Sequence, residues 1–198
     1  MNCLHRRHMC PGRALYPRLV LVAIALFIGC APGATSYVNT RVDFSYVQRV
    51  AIFPFRNMSQ DMQAAPRVQS IFMSALLEQG DLALVDQGEV LHTLQKLKLS
   101  PEAELSDAQI VMLGKELNVQ GIFFGTVEEY GQARINNTQV YHITAAFSLS
   151  ETETGSLIWN AQVSNNGTSF WRRLFGGGSA SLYDVSRSAV KAALRSLL

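Results

Sequence analysis

Two runs of almost unbroken apolar residues constrain this chain most, because a strand with no polar face must be covered on both sides. Val50-Ala51-Ile52-Phe53-Pro54-Phe55, entered from Arg49, and Gly121-Ile122-Phe123-Phe124-Gly125-Thr126-Val127 both read this way. They predict central strands of a sheet with helices on either face. A second pattern sets a limit on that architecture. From Tyr141 the odd positions Tyr141, Ile143, Ala145, Phe147 and Leu149 alternate with His142, Thr144, Ser148 and Ser150; Leu157, Trp159, Ala161 and Val163 alternate likewise with Asn160, Gln162 and Ser164. These two runs predict strands with one buried and one wetter face, near a sheet edge. Glu153-Thr154-Gly155 joins them as a hairpin whose glycine suits positive φ.

Between the central strands the period changes to that of helices. Pro66 in a first turn, the stripe Val68, Ile71, Phe72, Ala75 and Leu76, and a stop at Gly80 predict a helix from Ala65 to Gln79. Leu82 to Val85 reads as a short strand. Asp86 with Glu89, and Ser106 with Gln109, are capping-box pairs opening two further helices, the first burying Val90, Leu91, Leu94 and Leu97, the second Ile110, Leu113 and Leu117. Ser181 caps a last helix, about Leu182 to Leu197, which turns Leu182, Val185, Ala189, Ala193 and Leu197 inward. The predicted fold is α+β: a mixed sheet of about five strands flanked by about four helices, in the order β-α-β-α-α-β-β-β-α. Gly131 to Gln139 is read as a nine-residue connection.

The N-terminal region follows a different logic. Arg6, Arg7, Arg13 and Arg18 precede the apolar segment Leu19 to Gly29, and Leu26-Phe27-Ile28-Gly29-Cys30 resembles the lipobox of a bacterial lipoprotein. Eleven apolar residues are too few to cross about 30 Å of hydrocarbon as a helix. The resemblance implies a signal peptide over residues 1–29, whether translation starts at Met1 or Met9, and a mature chain that begins at a lipidated Cys30. Two or three acyl chains there would hold the protein on a membrane. Residues 30–45, with Pro32, Gly33, Thr35, Ser36, Asn39 and Thr40, read as the lipidated N-terminus and a flexible tether; residues 46–198 read as the periplasmic domain. Ala31 rather than Asp after Cys30 points to the outer membrane.

Processing would alter the charge balance. Loss of the four arginines leaves 13 basic against 15 acidic residues, and Arg172-Arg173 is then the only adjacent basic pair, so no nucleic-acid partner is expected. Cys3 and Cys10 would leave as well, so the remaining core must hold without an internal disulfide.

Three segments carry a family resemblance: Val50 to Phe55 with Asn57 shortly after, Gly121 to Val127, and Thr154-Gly155-Ser156-Leu157-Ile158-Trp159. In order and spacing they resemble landmark segments of the curli secretion-channel (curli production assembly/transport component) superfamily. That α+β core is shared with small lipoproteins, with the lipoprotein activator of a penicillin-binding protein, and with the N-terminal domain of the Tol-Pal translocation protein. The resemblance covers about residues 46 to 198. It implies an assembly or secretion accessory that binds envelope or secretion proteins or forms a homo-oligomer; a regulator of an envelope enzyme is the alternative. In the channel members, insertions flanking the Thr-Gly hairpin become membrane-spanning strands of about 9 to 11 residues each. The Gly131 to Gln139 connection is too short for two crossings. Arg172-Arg173 and the glycines 176 to 178 break the other candidate, so a pore subunit is not the expected reading.

Sites of chemistry are sparse. His92 and His142 lie 50 residues apart, and no Cys/His set has metal-ligand spacing. Gly176-Gly177-Gly178-Ser179 lacks the lysine of a phosphate loop. Glu128-Glu129 and Glu151 with Glu153 read as solvated faces. The expectation is a protein without catalytic residues, cofactor or metal. One segment exceeds what a surface loop needs: Phe170, Trp171, Arg172, Arg173 and Phe175 concentrate three aromatics and two arginines between Gly167 and the glycine run, and read either as a loop folded back over the sheet with Trp171 and Phe175 capping the core or as a docking surface for another subunit or for lipid headgroups.

Overall fold

The structure is a computed structural model that describes residues 34–38, 46–80, 82–135, 138–167 and 180–197. The continuous apolar runs lie where their pattern requires. Strand β1 is Ala34–Val38, β2 Arg49–Ile52, β3 Arg56–Asn57, β4 Ala83–Leu84, β5 Gly121–Ile135, β6 Thr138–Glu151 and β7 Leu157–Asn166; helix α1 is Ala64–Leu77, α2 Gln87–Lys96, α3 Asp107–Leu117 and α4 Leu182–Leu194. One mixed sheet has the order β1-β7-β6-β5-β2-β4, with β3 also on β5. The pairs β2/β4, β2/β5 and β3/β5 are parallel; β5/β6, β6/β7 and β1/β7 are antiparallel. The predicted α+β architecture is therefore observed.

Residues of β2 and β5 divide between two cores. Val50, Ile52, Phe123 and Val127 point to the face covered by α1 and α4, while Ala51, Phe53 and Ile122 point to α2 and α3 on the other. That division is why both runs are apolar almost throughout. Phe72 of α1 holds the first core together: its ring centroid lies 5.0 Å from Phe147, 5.3 Å from Phe123 and 5.5 Å from Phe55. Pro54, which has no N–H to give, separates β2 from β3, and both short strands run along β5.

Helix ends follow the predicted chemistry with one exception. Gln109 Oε1 accepts from the Ser106 N–H at 2.9 Å, and Asp184 accepts from the Ser181 hydroxyl at 2.7 Å. Asp86 caps α2 by accepting from the Gly88 N–H at 2.8 Å, but Glu89 does not return the bond; its carboxylate lies 3.9 Å from the Arg49 guanidinium. Leu91, expected inside, is exposed, because α2 presents only Val90, Thr93 and Leu94 to the sheet.

Four further expectations are corrected. The segment read as tether contributes β1, whose residues Ala34 to Val38 pair in antiparallel register with Val163 to Trp159. Uncharged residues with β-branched Thr35 and Val38 suit an added strand, a signal that an aperiodic reading passes over. This strand also moves the sheet edge outward: β7 is flanked by β6 and β1, and β6 by β5 and β7, so neither member of the alternating hairpin is an end strand. The Gly131 to Gln139 connection is ladder for most of its length, with Arg134 opposite Gln139 and Ile135 opposite Thr138. Lastly, the alternation in β7 slips at its start. Leu149 faces Trp159 but Ser150 faces Leu157, so Ile158 becomes fully buried and Leu157 turns out to solvent.

Candidate interaction surfaces

The docking residues Phe170, Trp171, Arg172, Arg173 and Phe175, and the lipidation residue Cys30, lie outside the described residues. The two ends of the segment that carries the aromatics are described. Gly167 closes β7 by donating its N–H to the Tyr141 carbonyl at 2.8 Å, and Ala180, 8% exposed, enters the first core one residue before the Ser181 cap. Asn165 Nδ2 donates to the Val185 carbonyl at 3.1 Å, fastening β7 to α4 between those ends. Gly167 and Ala180 thus lie together at one place, where β6, β7 and the N-terminus of α4 meet.

The sheet face opposite α1 and α4 carries a polar cluster. β5 has a register shift between Val127 and Glu129, and its effect is that both consecutive carboxylates meet partners on this face. Glu128 accepts from Gln162 Nε2 at 3.4 Å, and Glu129 accepts from the Thr144 hydroxyl at 2.7 Å. His142 Nε2 lies 3.9 Å from the Glu129 carboxylate, an approach rather than a hydrogen bond, and its Nδ1 is buried without a described partner. In the sequence Glu128-Glu129 and His142 read as separate features. The bulge brings them together, and no residue type signalled it. His92 stands apart on the exposed side of α2.

Two other constellations are built at turns. Asn57, which follows the first apolar run, organises the loop into α1: its Nδ2 donates to the Asp61 carbonyl at 2.8 Å and its Oδ1 accepts from the Ser59 N–H at 3.0 Å. That fixed loop displays Met58, 65% exposed, and Met62, 85% exposed. At the β6–β7 turn Glu151 accepts from the Tyr46 hydroxyl at 2.8 Å. Burial first, and then the bond to Glu151, push the Tyr46 hydroxyl up to about 12 from its usual 10. Since the folded state holds this proton to higher pH than the unfolded chain, the stability it contributes is intact below pH 10 and is lost as pH rises through about 12. In Tyr46→Phe this part of the alkaline loss should disappear when unfolding is followed by circular dichroism across that window, and one tyrosine fewer should titrate late by phenolate absorbance.

Among the described residues no group of three or more His, Cys, Asp or Glu side chains is placed to hold a metal ion, and no helix is long and apolar enough to cross a membrane.

No protein-family model matches the chain, and no curated protein matches it in sequence. Solved structures do share its fold. The PelC dodecamer from Paraburkholderia phytofirmans aligns at 15% identity with a TM-score of 0.55, covering 82% of this chain and 96% of PelC; a variant of the same dodecamer gives 0.57 over the same shares. Lipoprotein GNA1162 from Neisseria meningitidis aligns at 17% identity with a TM-score of 0.55, covering 75% of this chain and 99% of that one. The fold expected from the three landmark segments is thus the fold these proteins share with this chain.

Proposed function

We propose that this chain is a lipid-anchored, periplasm-facing protein of the bacterial outer membrane that acts as a non-catalytic assembly or secretion accessory by binding protein partners. The observation that carries the reading is a fold shared with a lipoprotein, GNA1162, over nearly all of that chain, in a sequence that sets a cysteine directly after a short apolar segment with arginines before it. PelC, of the same fold, is a dodecamer, which supports a role in assemblies.

Within this reading Cys30 carries the acyl chains and Phe170, Trp171, Arg172, Arg173 and Phe175 meet the partner. The fastening of Gly167 and Ala180 supports the second assignment. A segment held at both ends by the folded core loses less entropy on binding than a free tail of the same composition. Large aromatic and arginine side chains are also those whose truncation costs an interface most, about 2 kcal/mol or more each.

A paired experiment on the full chain tests it. Cys30→Ser should abolish palmitate labelling and move the protein from the membrane to the soluble fraction. Trp171→Ala with Arg172→Ala should leave circular dichroism and membrane retention unchanged while abolishing recovery of envelope proteins crosslinked to the wild type in intact cells. Unchanged labelling in the first variant, or an unchanged crosslinking pattern in the second, would overturn the corresponding half of the proposal.

A further inference from the structure

The sheet ends in two strands among the described residues, and they differ in how well they are protected. β4 is two residues long, too short to template another strand. β1 is five residues long, Ala34-Thr35-Ser36-Tyr37-Val38, and has no charge, no proline, no glycine and no register shift against β7. Only its β7 side is paired within the sheet, so its outer backbone N–H and C=O groups form a template for one more strand. By contrast, the outer edge of β5 past β3 carries Glu129 and Arg134 and is interrupted by Gly131 at φ +144°.

We propose that two copies of this chain pair through β1, antiparallel about Ser36, to form one sheet continuous across a two-fold axis. The pairing follows from the register of β1 and does not depend on the aromatic segment binding a partner. A two-fold axis requires that each surface meet itself, and β1 satisfies the requirement. In this register Ala34 lies opposite the partner's Val38, Thr35 opposite the partner's Tyr37, and Ser36 opposite the partner's Ser36. The β7 residues opposite positions 34, 36 and 38, namely Val163, Ala161 and Trp159, are buried on the face that α1 and α4 cover. The register sets even positions against even ones, so the helix-covered face of one copy continues into that of the other; a slip of one residue would invert it. None of the ten residues is charged, so no like charges oppose one another, which is the condition that commonly forbids a strand from pairing with itself.

Chain length makes the arrangement compatible with an anchor. Cys30 lies four residues before Ala34, at most about 14 Å of extended chain. Two paired β1 strands would bring both cysteines to one region, where their acyl chains insert as a single unit.

The test is Ser36→Cys, a one-atom change, in the full chain, probed in membranes of the expressing cells by mild oxidation and non-reducing electrophoresis. Residues directly opposite in an antiparallel pair have Cα atoms about 4.5 to 5.5 Å apart, within the range a disulfide spans. The dimer band should rise from the wild-type background to the larger part of the chain. Ser156→Cys, on the exposed turn before β7, should stay at background. Adding Thr35→Lys, at an exposed position, to Ser36→Cys should return the dimer to background while circular dichroism stays that of the wild type, because a lysine blocks an edge without disturbing the core. If Ser36→Cys crosslinks no more than Ser156→Cys, the proposal is overturned. Light scattering that still reports a multimer in that case would assign association to another surface and leave the partner-binding reading intact.

Discussion

Gly155→Val is expected to lower the stability of the domain by about 2 to 6 kcal/mol, more than its place in a hairpin turn suggests. Two costs combine. Gly155 holds φ at +81°, where a β-branched residue is strained by about 1 to 3 kcal/mol. A Cβ built there would also lie 2.6 Å from both the Cα and the carbonyl oxygen of Asp107, the first residue of α3. Backbone cannot turn aside as a side chain can, so α3 must shift at the end where Ser106 and Gln109 cap it, adding overpacking of about 1 to 3 kcal/mol. At about 2 to 4 °C per kcal/mol for a domain of this size, the melting temperature should fall by about 4 to 24 °C. Gly80→Ala separates the two costs, since Gly80 has φ +79° but nothing within 4 Å of its Cβ. Gly155→Ala should exceed Gly80→Ala by the overpacking contribution, and equal losses would show that α3 gives way freely.

That turn also shows what the sequence discloses and what it withholds. Positive φ at Gly155 was legible because Thr154-Gly155 sits between two alternating runs. The neighbour that makes the position intolerant comes from a helix nearly fifty residues earlier and leaves no local trace. The same division recurs across the fold. Val50 to Phe53 announced a strand covered on both faces, since each successive residue serves a different core. Ala34 to Val38 announced nothing, because five uncharged residues without period are equally consistent with tether and edge strand until β7 is present to pair with. At Leu157 and Ile158 the apolar residue that faces out and the one that faces in are set by a register shift against β6, which leaves Ile158 without a partner in the ladder. Alternation predicts faces only as far as register is kept.

For the candidate surfaces the limit is different in kind. Residue type marked Trp171 and the arginines as expensive to leave idle in a loop, and the described fold adds that their segment is fastened at both ends. Glu128, Glu129, Thr144, Gln162 and His142 are each ordinary in sequence. They form a cluster only because a bulge in β5 turns two consecutive carboxylates to one face. Bulges depend on how two strands twist against each other, and neither strand encodes one alone.

The second large effect is expected at the other tryptophan, and it separates folding from docking in the variants proposed above. Trp159 is fully buried, with its ring edge-on to Phe123 at a centroid distance of 6.1 Å. Its indole N–H donates to the Ser196 hydroxyl at 3.1 Å, and that hydroxyl donates to the Ala193 carbonyl at 2.7 Å, so a single side chain ties β7 to the C-terminal end of α4. Trp159→Ala removes this volume from a core with no exposed side on which to collapse and should cost about 3 to 5 kcal/mol in urea unfolding. Trp159→Phe keeps most of the apolar contact but loses the hydrogen bond, and should cost about 1 to 2 kcal/mol. Ser196→Ala, which leaves the indole N–H without its acceptor, should fall near the Phe variant rather than the Ala one. Trp171→Ala, by contrast, should unfold at the same urea concentration as the wild type while losing its partners. A Trp159→Ala domain as stable as the wild type would mean that β7 and α4 are held by the aliphatic residues Val163, Val185, Ala189 and Ala193, and the indole would no longer explain their attachment.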